Sequence, residues 1–218
     1  LAAAVAEAYV NTVRPLTFQF EIIMADSGCD GTTAATGAQT LIDAGVVGIA
    51  GAACSGATMG AIDVAAAAGV PMVSYASTSP AITTYEDDGY LFRVVPSDAQ
   101  QGQALADVYG ASGYEYPGII AMTNDYGAGF HAAFLDNWDG DVCAESTYAD
   151  GTTDFSSQVA AVLDGGCDSV VMITYASDGA AIAEELATQG AGLQIFGGDG
   201  IADSQFANEF SDVWALDG

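Results

Sequence analysis

The sequence predicts an α/β protein with two doubly wound lobes joined by a hinge, each lobe built on a parallel sheet. Short, continuously apolar runs alternate with Ala-rich helical segments, as where VVGIA is followed by SGATMGAIDVAAAA. Such runs are typical of strands that are buried on both faces of a parallel sheet. Turns rich in Gly, Ser and Thr follow the runs, which places them at the carboxyl ends of strands, where α/β sheets bind ligands.

The first half of the chain predicts a series of helices and strands that ends near Val95. Apolar residues recur at helical spacing at the start of the chain, and TFQFEIIM alternates before it becomes wholly apolar, which indicates a strand. The predicted elements are a helix at 1–13, a strand at 17–24, a turn at 26–33, a helix at 33–44, a strand at 46–50, a helix from 55, and strands at 70–73 and 90–95.

The strand–helix alternation restarts after Pro96 and Ser97, which we interpret as the crossing point between the lobes. Asp98 is predicted to cap the next helix. The first lobe is therefore predicted at 1–97 and the second at 98–218. The predicted elements of the second lobe are helices at 99–109, 127–138, 155–163, 178–188 and 206–213, and strands at 118–123, 142–148, 169–174 and 194–196.

The charge of the chain is strongly one-sided. The 218 residues include 29 acidic residues but only two basic ones, Arg14 and Arg93, and the net charge is −27 at pH 7. This balance excludes nucleic acid as a partner and disfavours anionic membranes. We favour adaptation to high salt, where screening weakens self-repulsion, over an ordinary solvated surface. No run of eighteen apolar residues occurs, so the sequence predicts no transmembrane helix.

The four cysteines predict two disulfides. Cys29 and Cys54 each follow a predicted strand at one sheet edge, and Cys143 and Cys167 flank strands of the second half. The simplest pairing is 29–54 and 143–167, which implies an oxidising, extracytoplasmic location. Buried free thiols are the alternative. No C-x-x-C pair is present, and one histidine is too few for the usual mixed zinc site, so no metal is predicted.

Two hydroxyl-bearing turns predict an anion site. Ser55 begins a predicted helix, whose free N–H groups and dipole favour a negative group. Thr78 lies in the turn after the next predicted strand. Together they form a candidate cradle for a carboxylate or phosphate, although Ser and Thr at these positions also serve simply as helix caps.

Four motifs in order resemble a known family. GAACSGATMGA, VPMVSYASTSPAIT, LFRVVPSDAQQGQALA and TNDYGAGF together resemble the type I periplasmic solute-binding proteins, in particular the Leu/Ile/Val-binding and amide-binding branch that serves ABC importers. The resemblance runs over essentially the whole chain. It implies that Ser55 and Thr78 hold the carboxylate of a ligand and that the Ala76 carbonyl accepts from its ammonium. Ser77 joins this predicted ligand-binding set.

The same resemblance implies a second group of ligand-binding residues. Asp199 in FGGDG matches an acidic position that pairs with the ligand ammonium, although glutamate, one methylene longer, is frequent there. Tyr126 in NDYGAGF and Tyr175 in MITYASDG are expected to cover the ligand. A turn aspartate and ordinary half-buried tyrosines are the alternatives. The family also often carries a disulfide at the position of Cys29.

No enzymatic site is predicted. His131 is the single histidine, no G-x-S-x-G elbow is present, and its place in a predicted helix suggests a solvated surface residue. DSGCDG and DNWDGD lack the ligand spacing of an EF-hand. There is no Walker loop, and we expect no cofactor.

The resemblance implies a receptor that captures an amino acid between two lobes for a membrane ABC importer permease. Such a receptor lies in the periplasm or at the cell surface, where a lipid anchor is one option. The alternative is a ligand-sensing domain of a receptor or regulator that binds a small amide or carboxylate. In the family, a further strand precedes the first helix and the chain returns to the first lobe, so we expect this sequence to be an internal portion of a longer protein.

Overall fold

Both sheets are parallel, as the apolar runs predict. The computed structural model describes residues 2–13 and 18–209. Within these residues the strands form one sheet of three and one of four, and every pair of neighbouring strands is parallel. The prediction of an α/β fold with parallel sheets is therefore confirmed.

The chain divides into two compact units. The first unit comprises Leu1–Ala76 and Glu86–Val94, and the second comprises Ser77–Tyr85 and Val95–Gly218. The sequence-based division into lobes at 1–97 and 98–218 stays a prediction. None of the helices in the described residues is long and apolar enough to cross a membrane.

The first unit contains a three-stranded sheet in the order β1-β2-β3. Its strands are short, and Met72 in the middle strand is opposite both Ile49 and Leu91. The elements are α1 (Ala2–Val13), α2 (Gly31–Asp43), β1 (Ile49–Ala50), α3 (Ser55–Ala67), β2 (Met72–Ser74) and β3 (Leu91–Arg93).

The second unit contains a four-stranded sheet in the order β5-β4-β6-β7. It also contains two short 3₁₀ turns, Pro80–Thr84 and Asp199–Ile201. The other elements are α4 (Asp98–Ser112), β4 (Pro117–Met122), α5 (Asp125–Leu135), β5 (Ala144–Tyr148), α6 (Ser156–Asp164), β6 (Ser169–Ile173), α7 (Ala176–Thr188), β7 (Gln194–Gly197) and α8 (Ser204–Glu209).

The central strands of this second sheet, β4 and β6, are buried on both faces. Ile119 and Val171 point to one face and pack in a cluster with α4 and α5 residues such as Phe130. Ile120 and Met172 point to the other face and pack with residues of α6 and α7. Successive side chains of a strand alternate between faces, so a strand covered by helices on both sides must be apolar throughout.

One predicted strand is absent. Residues 18–24 form no strand, and Phe18 and Met24 are 59% and 76% exposed. The backbone of Phe20 instead exchanges two 2.8 Å hydrogen bonds with the Asn11 side chain, and the Ile22 N–H donates to Glu7 at 2.9 Å. An apolar run becomes a strand only where another strand satisfies its N–H and C=O groups, and among the described residues α1 side chains serve some of them instead.

Several predicted boundaries also change. The cap of α4 is Ser97 rather than Asp98, because the Ser97 hydroxyl accepts from the Ala99 N–H at 3.3 Å. The strand predicted at 46–50 pairs only at β1, and Val47 is 88% exposed. The helix predicted at 206–213 is observed as α8, and residues 210–213 lie outside the described residues.

Both predicted disulfides are present. The Cα atoms of Cys29 and Cys54 are 5.2 Å apart, and those of Cys143 and Cys167 are 5.5 Å apart. The first bond joins the turns that precede α2 and α3, and the second joins the segments that precede β5 and β6. The first bond therefore ties two packed helices of the first unit together, and the second ties together the two strands that flank β4 in the second unit.

We expect loss of either disulfide to destabilise the protein. The bonds close loops with sequence separations of 25 and 24 residues. Loops of this length correspond to about 3 kcal/mol of stabilisation through restriction of the unfolded chain. Urea unfolding of the Cys143→Ser/Cys167→Ser protein should therefore give a free energy of unfolding lower by about that amount. Reducing agent serves as the control, because it breaks two disulfides in the wild-type protein but only Cys29–Cys54 in this variant, and so should destabilise the wild-type protein about twice as much; equal sensitivity would contradict the prediction.

We also expect salt to stabilise the folded chain. Among the described side chains, Asp98 is the one acid that is fully buried, so the remaining acids repel one another across the surface. Raising NaCl from about 0.1 M to about 1 M shortens the screening length from about 10 Å to about 3 Å. The unfolding temperature measured by circular dichroism should rise over this range, and by a similar amount in KCl. A constant or falling unfolding temperature would refute self-repulsion as a limit on stability.

Candidate functional site

The candidate site lies at the carboxyl edge of the sheet in the second unit. Tyr126 follows β4, Tyr175 follows β6, and Asp199 follows β7. Because all strands of this sheet are parallel, the residues that follow them meet at one edge. The structure therefore brings together three of the residues that the sequence predicts to bind ligand.

Asp199 is held in place by hydrogen bonds from two side chains. Its Oδ1 accepts from the Tyr126 hydroxyl at 3.1 Å and from Gln101 Nε2 at 2.8 Å. Its backbone N–H donates to Gln101 Oε1 at 2.8 Å, and the Gly200 N–H donates to the Tyr126 hydroxyl at 3.1 Å. No described residue hydrogen-bonds Oδ2, and the residue is exposed, so Asp199 presents one oriented carboxylate oxygen outward.

Two tyrosine rings stack beside this carboxylate. The centroids of Tyr126 and Tyr175 are 5.2 Å apart and their planes differ by 12°. Burial, with the negative charges of Asp150 and Asp199, raises the pKa of Tyr175 to about 12. Burial, with the charges of Asp199 and Asp98, also raises the pKa of Tyr126 above its usual value. Both rings are therefore neutral hydrogen-bond donors at physiological pH.

Asp98 is a member of this cluster that sequence reasoning assigned only to helix capping. It is completely buried, and its Oδ1 accepts from Gln101 Nε2 at 2.6 Å. Its N–H donates to the Thr78 carbonyl at 2.8 Å. The spacing of Asp98 and Gln101, which is i and i+3 in the first turn of α4, was the available sequence signal.

Two further predicted residues belong to the second unit. Ser77 and Thr78 are 0% and 5% exposed. The bond from the Asp98 N–H to the Thr78 carbonyl connects this turn to the Asp199 cluster through Gln101. Thr78 is thus part of the same hydrogen-bonded network as Asp199.

Ser55 and Ala76 belong to the first unit. Ser55 is the first residue of α3, as predicted, and is 2% exposed. The Ser74 hydroxyl donates to the Ala52 carbonyl at 2.7 Å, and the Ala52 N–H donates to the Thr58 hydroxyl at 3.1 Å. The Ala76 N–H donates to Ser74 at 3.4 Å. The turns after β1 and β2 are therefore tied together by hydroxyls that sequence reasoning did not single out.

The described residues of the second unit include no lysine or arginine. Arg93 lies in β3 of the first unit, Arg14 is not among the described residues, and the sequence has no lysine. The Asp98 and Asp199 carboxylates both bond a single amide group. The exposed Asp199 carboxylate has no lysine or arginine near it among the described residues of this unit, and it favours a cationic group.

His131 is less exposed than the sequence predicts for a solvated surface residue. Its side chain is 15% exposed, and Nε2 lies 3.2 Å from Glu145 Oε2. Burial lowers the pKa of His131, although the neighbouring Glu145 opposes this effect. The prediction failed because α5 packs this position against β5. Within the described residues, no three His, Cys, Asp or Glu side chains are grouped so that they could hold a metal.

Two surface hollows lie elsewhere. One of about 470 Å³ is lined by residues such as Met24 and Thr36 of the first unit, and one of about 450 Å³ by Pro80 and Gly129 among others in the second. Asp199 lines neither hollow. The hydrogen-bonded geometry of Asp199, rather than cavity size, identifies the candidate site.

Comparisons with known proteins place the chain among binding proteins. The family model described as periplasmic binding protein matches residues 2–208. The chain is similar to a leucine binding protein from Thermotoga maritima, with 25% identity and a TM-score of 0.87 over 95% of this chain and 60% of that chain. It is also similar to a substrate binding protein of the branched-chain amino acid transporter from Streptococcus pneumoniae, solved in complex with isoleucine, with 25% identity and a TM-score of 0.87 over 96% of this chain and 61% of that one.

A receptor is also similar to part of the chain. Metabotropic glutamate receptor 4 from Macaca fascicularis is 34% identical over 100 residues, which are 45% of this chain and 11% of the receptor. The chain thus spans 60–61% of the two solved binding proteins and a small part of the receptor.

We expect the Tyr126 hydroxyl to stabilise the second unit without any ligand. Tyr126→Phe keeps the stacked ring but removes the bonds with Asp199 and the Gly200 N–H. The free energy of unfolding should fall by about 1 kcal/mol, which is typical for one lost hydrogen-bonding group. Urea unfolding measures this change. Tyr116→Phe is the matched control, because Tyr116 is 49% exposed and its hydroxyl bonds no described residue; an equal loss in both variants would contradict the assignment.

Proposed function

This chain belongs to the periplasmic binding protein family, and we propose that it captures an amino acid outside the cytoplasm for delivery to an ABC importer. The observation that carries this proposal is the Asp199 carboxylate, fixed through Oδ1 by Tyr126 and Gln101 and exposed at the carboxyl edge of a parallel sheet. The resemblance to Leu/Ile/Val-binding proteins is confirmed by the family match and the structural neighbours, which are binding proteins rather than enzymes.

The ammonium group of the ligand is proposed to bind Asp199. The oriented and exposed Asp199 carboxylate favours a positive group, and the described residues of the second unit include no lysine or arginine to compete for it. The neighbouring Tyr175 ring offers a π-face to the ammonium or to the apolar part of the ligand. Charge-assisted hydrogen bonds of this kind are worth more than neutral ones.

The carboxylate group of the ligand is proposed to bind the predicted hydroxyl set. Ser55 supports this assignment because it is the first residue of the 13-residue helix α3, where free N–H groups and the helix dipole favour an anion. Ser77 and Thr78 are buried in a turn that is bonded to Asp98. We keep the Ala76 carbonyl as a second acceptor for the ammonium.

A neutral amino-acid side chain fits this chain better than an acidic one. A second carboxylate on the ligand would add negative charge near Asp98 and Asp199, and like charges in a desolvated site cost several kcal/mol. The two similar binding proteins are named for leucine and for branched-chain amino acids. We therefore propose a branched-chain amino acid or a close analogue as the ligand.

A ligand-sensing domain is the second candidate function. The metabotropic glutamate receptors support it, since one of them is 34% identical over 100 residues. In either role the two disulfides support an oxidising compartment, in the periplasm or at the cell surface. A lipid anchor and a membrane permease partner belong to the importer proposal.

The decisive prediction concerns Asp199→Asn in the full-length protein. If Asp199 pairs with a ligand ammonium, this change should weaken leucine or isoleucine binding by about 2 kcal/mol or more, as measured by calorimetry. Ser55→Ala should cost less, because its backbone N–H remains. Asp164→Asn is the charge-matched control, since Asp164 is exposed at the end of α6 and bonds no described side chain.

Two results would count against an amino-acid ligand. One is unchanged affinity in the Asp199→Asn protein, and the other is tighter wild-type binding of simple carboxylates than of amino acids. A wild-type protein that binds leucine or isoleucine at a hundredfold excess over Kd should gain about 2.7 kcal/mol of stability, which thermal unfolding detects readily.

A further inference from the structure

We infer that Gln101 is a positioning residue, whose side-chain amide fixes the orientation of the Asp199 carboxylate and couples it to Asp98. The role in ligand affinity rests on the proposed function, whereas the coupling to Asp199 exists in the ligand-free protein. Gln101 was not predicted as a site residue, and it is not a proposed ligand contact. It acts on the ligand through Asp199.

The amide of Gln101 bonds Asp199 at two points. Oε1 accepts from the Asp199 backbone N–H at 2.8 Å, and Nε2 donates to the Asp199 side chain at 2.8 Å. Two bonds from one planar group to the main chain and side chain of the same residue leave little freedom to the intervening torsion angles. The position of the β7 turn and the rotamer of Asp199 are therefore set together.

The same amide separates two carboxylates. Nε2 donates one hydrogen to Asp98 at 2.6 Å and the other to Asp199. An amide nitrogen has two donor hydrogens, and here each is used for a different acid. The amide orientation follows from this pattern, because the reversed group would place its carbonyl oxygen against both carboxylates. Neither leucine nor an ionised glutamate supplies these donors.

The neighbouring residues keep the amide in contact with Asp199. Gln101 is in the first turn of α4, one turn from the completely buried Asp98. A Cβ atom added at Gly198 would lie 2.1 Å from the Phe130 ring and 2.9 Å from Gln101 Oε1. Glycine before Asp199 thus allows the end of β7 to approach α4 closely enough for both bonds.

The bonds to Oδ1 affect ligand binding because they fix the direction of the Asp199 carboxylate. Gln101 and Tyr126 both bond Oδ1, while no described residue bonds Oδ2. Without the amide, the Tyr126 hydroxyl alone would bond Oδ1, and the exposed Asp199 side chain would adopt a wider range of orientations. Prior orientation of a binding group lowers the entropy cost of association, so its loss should weaken binding.

The experiment compares Gln101→Leu and Gln101→Glu with the control variants Gln103→Leu and Gln103→Glu in the full-length protein. Gln103 is exposed on the same helix, and its side chain bonds no described residue. Calorimetry with leucine and isoleucine at pH 7 should show at least tenfold weaker binding for both Gln101 variants and a change below twofold for the Gln103 variants. A Kd of the Gln101→Leu protein within twofold of the wild-type Kd would overturn the inference.

The pH dependence of ligand affinity distinguishes a positioning role of Gln101 from a general packing role. The introduced carboxyl of Gln101→Glu would face Asp98 and Asp199; the Tyr126 hydroxyl bonds Asp199, the Tyr175 ring stacks on Tyr126, and the charge of Asp150 acts on Tyr175. Crowding of like charges raises the pKa of such a group, and its protonated form again donates a hydrogen bond. Relative to wild type, Gln101→Glu should therefore regain affinity at about pH 5, while Gln101→Leu should not. Parallel pH profiles for the two variants would overturn the positioning role.

A ligand-free measurement distinguishes this inference from the proposed function. In a double-mutant cycle, Gln101→Leu should increase the equilibrium constant for unfolding in both backgrounds. The factor of increase should be at least five times larger in the wild-type background than in the Asp199→Ala background. If the wild-type protein binds no amino acid, the proposed function fails while this coupling still holds. Additive effects in the cycle would overturn the coupling, whatever the ligand is. If Gln101→Leu does not fold, the cycle is run with Gln101→Glu.

Discussion

Neutral hydrogen-bond donors orient the Asp199 carboxylate, and the candidate site depends on this interaction. Asp199 is held by an amide and a phenol, and Asp98 shares the same amide. Asp168, which lies just before β6, shows the same kind of arrangement. It accepts from the Ser169 hydroxyl and from the backbone N–H groups of two residues that precede β4. Burial alone would raise the pKa of Asp168, but these donors hold it below its usual value. The described part of this unit achieves this without lysine or arginine.

This arrangement has a direct consequence for ligand choice. Neutral donors orient a carboxylate but do not cancel its charge, so the exposed Asp199 carboxylate still favours a cationic group. The proposal of an amino-acid ligand rests on this charge, because the ammonium of such a ligand would supply the cation.

Long apolar runs and the helical segments between them could be predicted from local pattern. β4 and β6 were predicted nearly to the residue, because strands buried on both faces carry an unambiguous apolar signal. The run at 18–24 carries a similar signal but forms no strand, since strand formation also requires a neighbour for its backbone groups. His131 likewise looked solvated until packing of α5 on β5 placed it against Glu145.

The sequence by itself determined the parallel α/β class, both disulfide pairs, the start of α3 at Ser55 and the turns that carry Tyr126, Tyr175 and Asp199. These follow from periodicity, from cysteine placement and from motifs contained within single turns. Only the tertiary structure decided that Gln101 contacts Asp199, because the two residues are 98 positions apart. No local pattern encodes such a pair, because the bond exists only where α4 packs against β7, the edge strand of the sheet, and brings an amide within reach of a carboxylate.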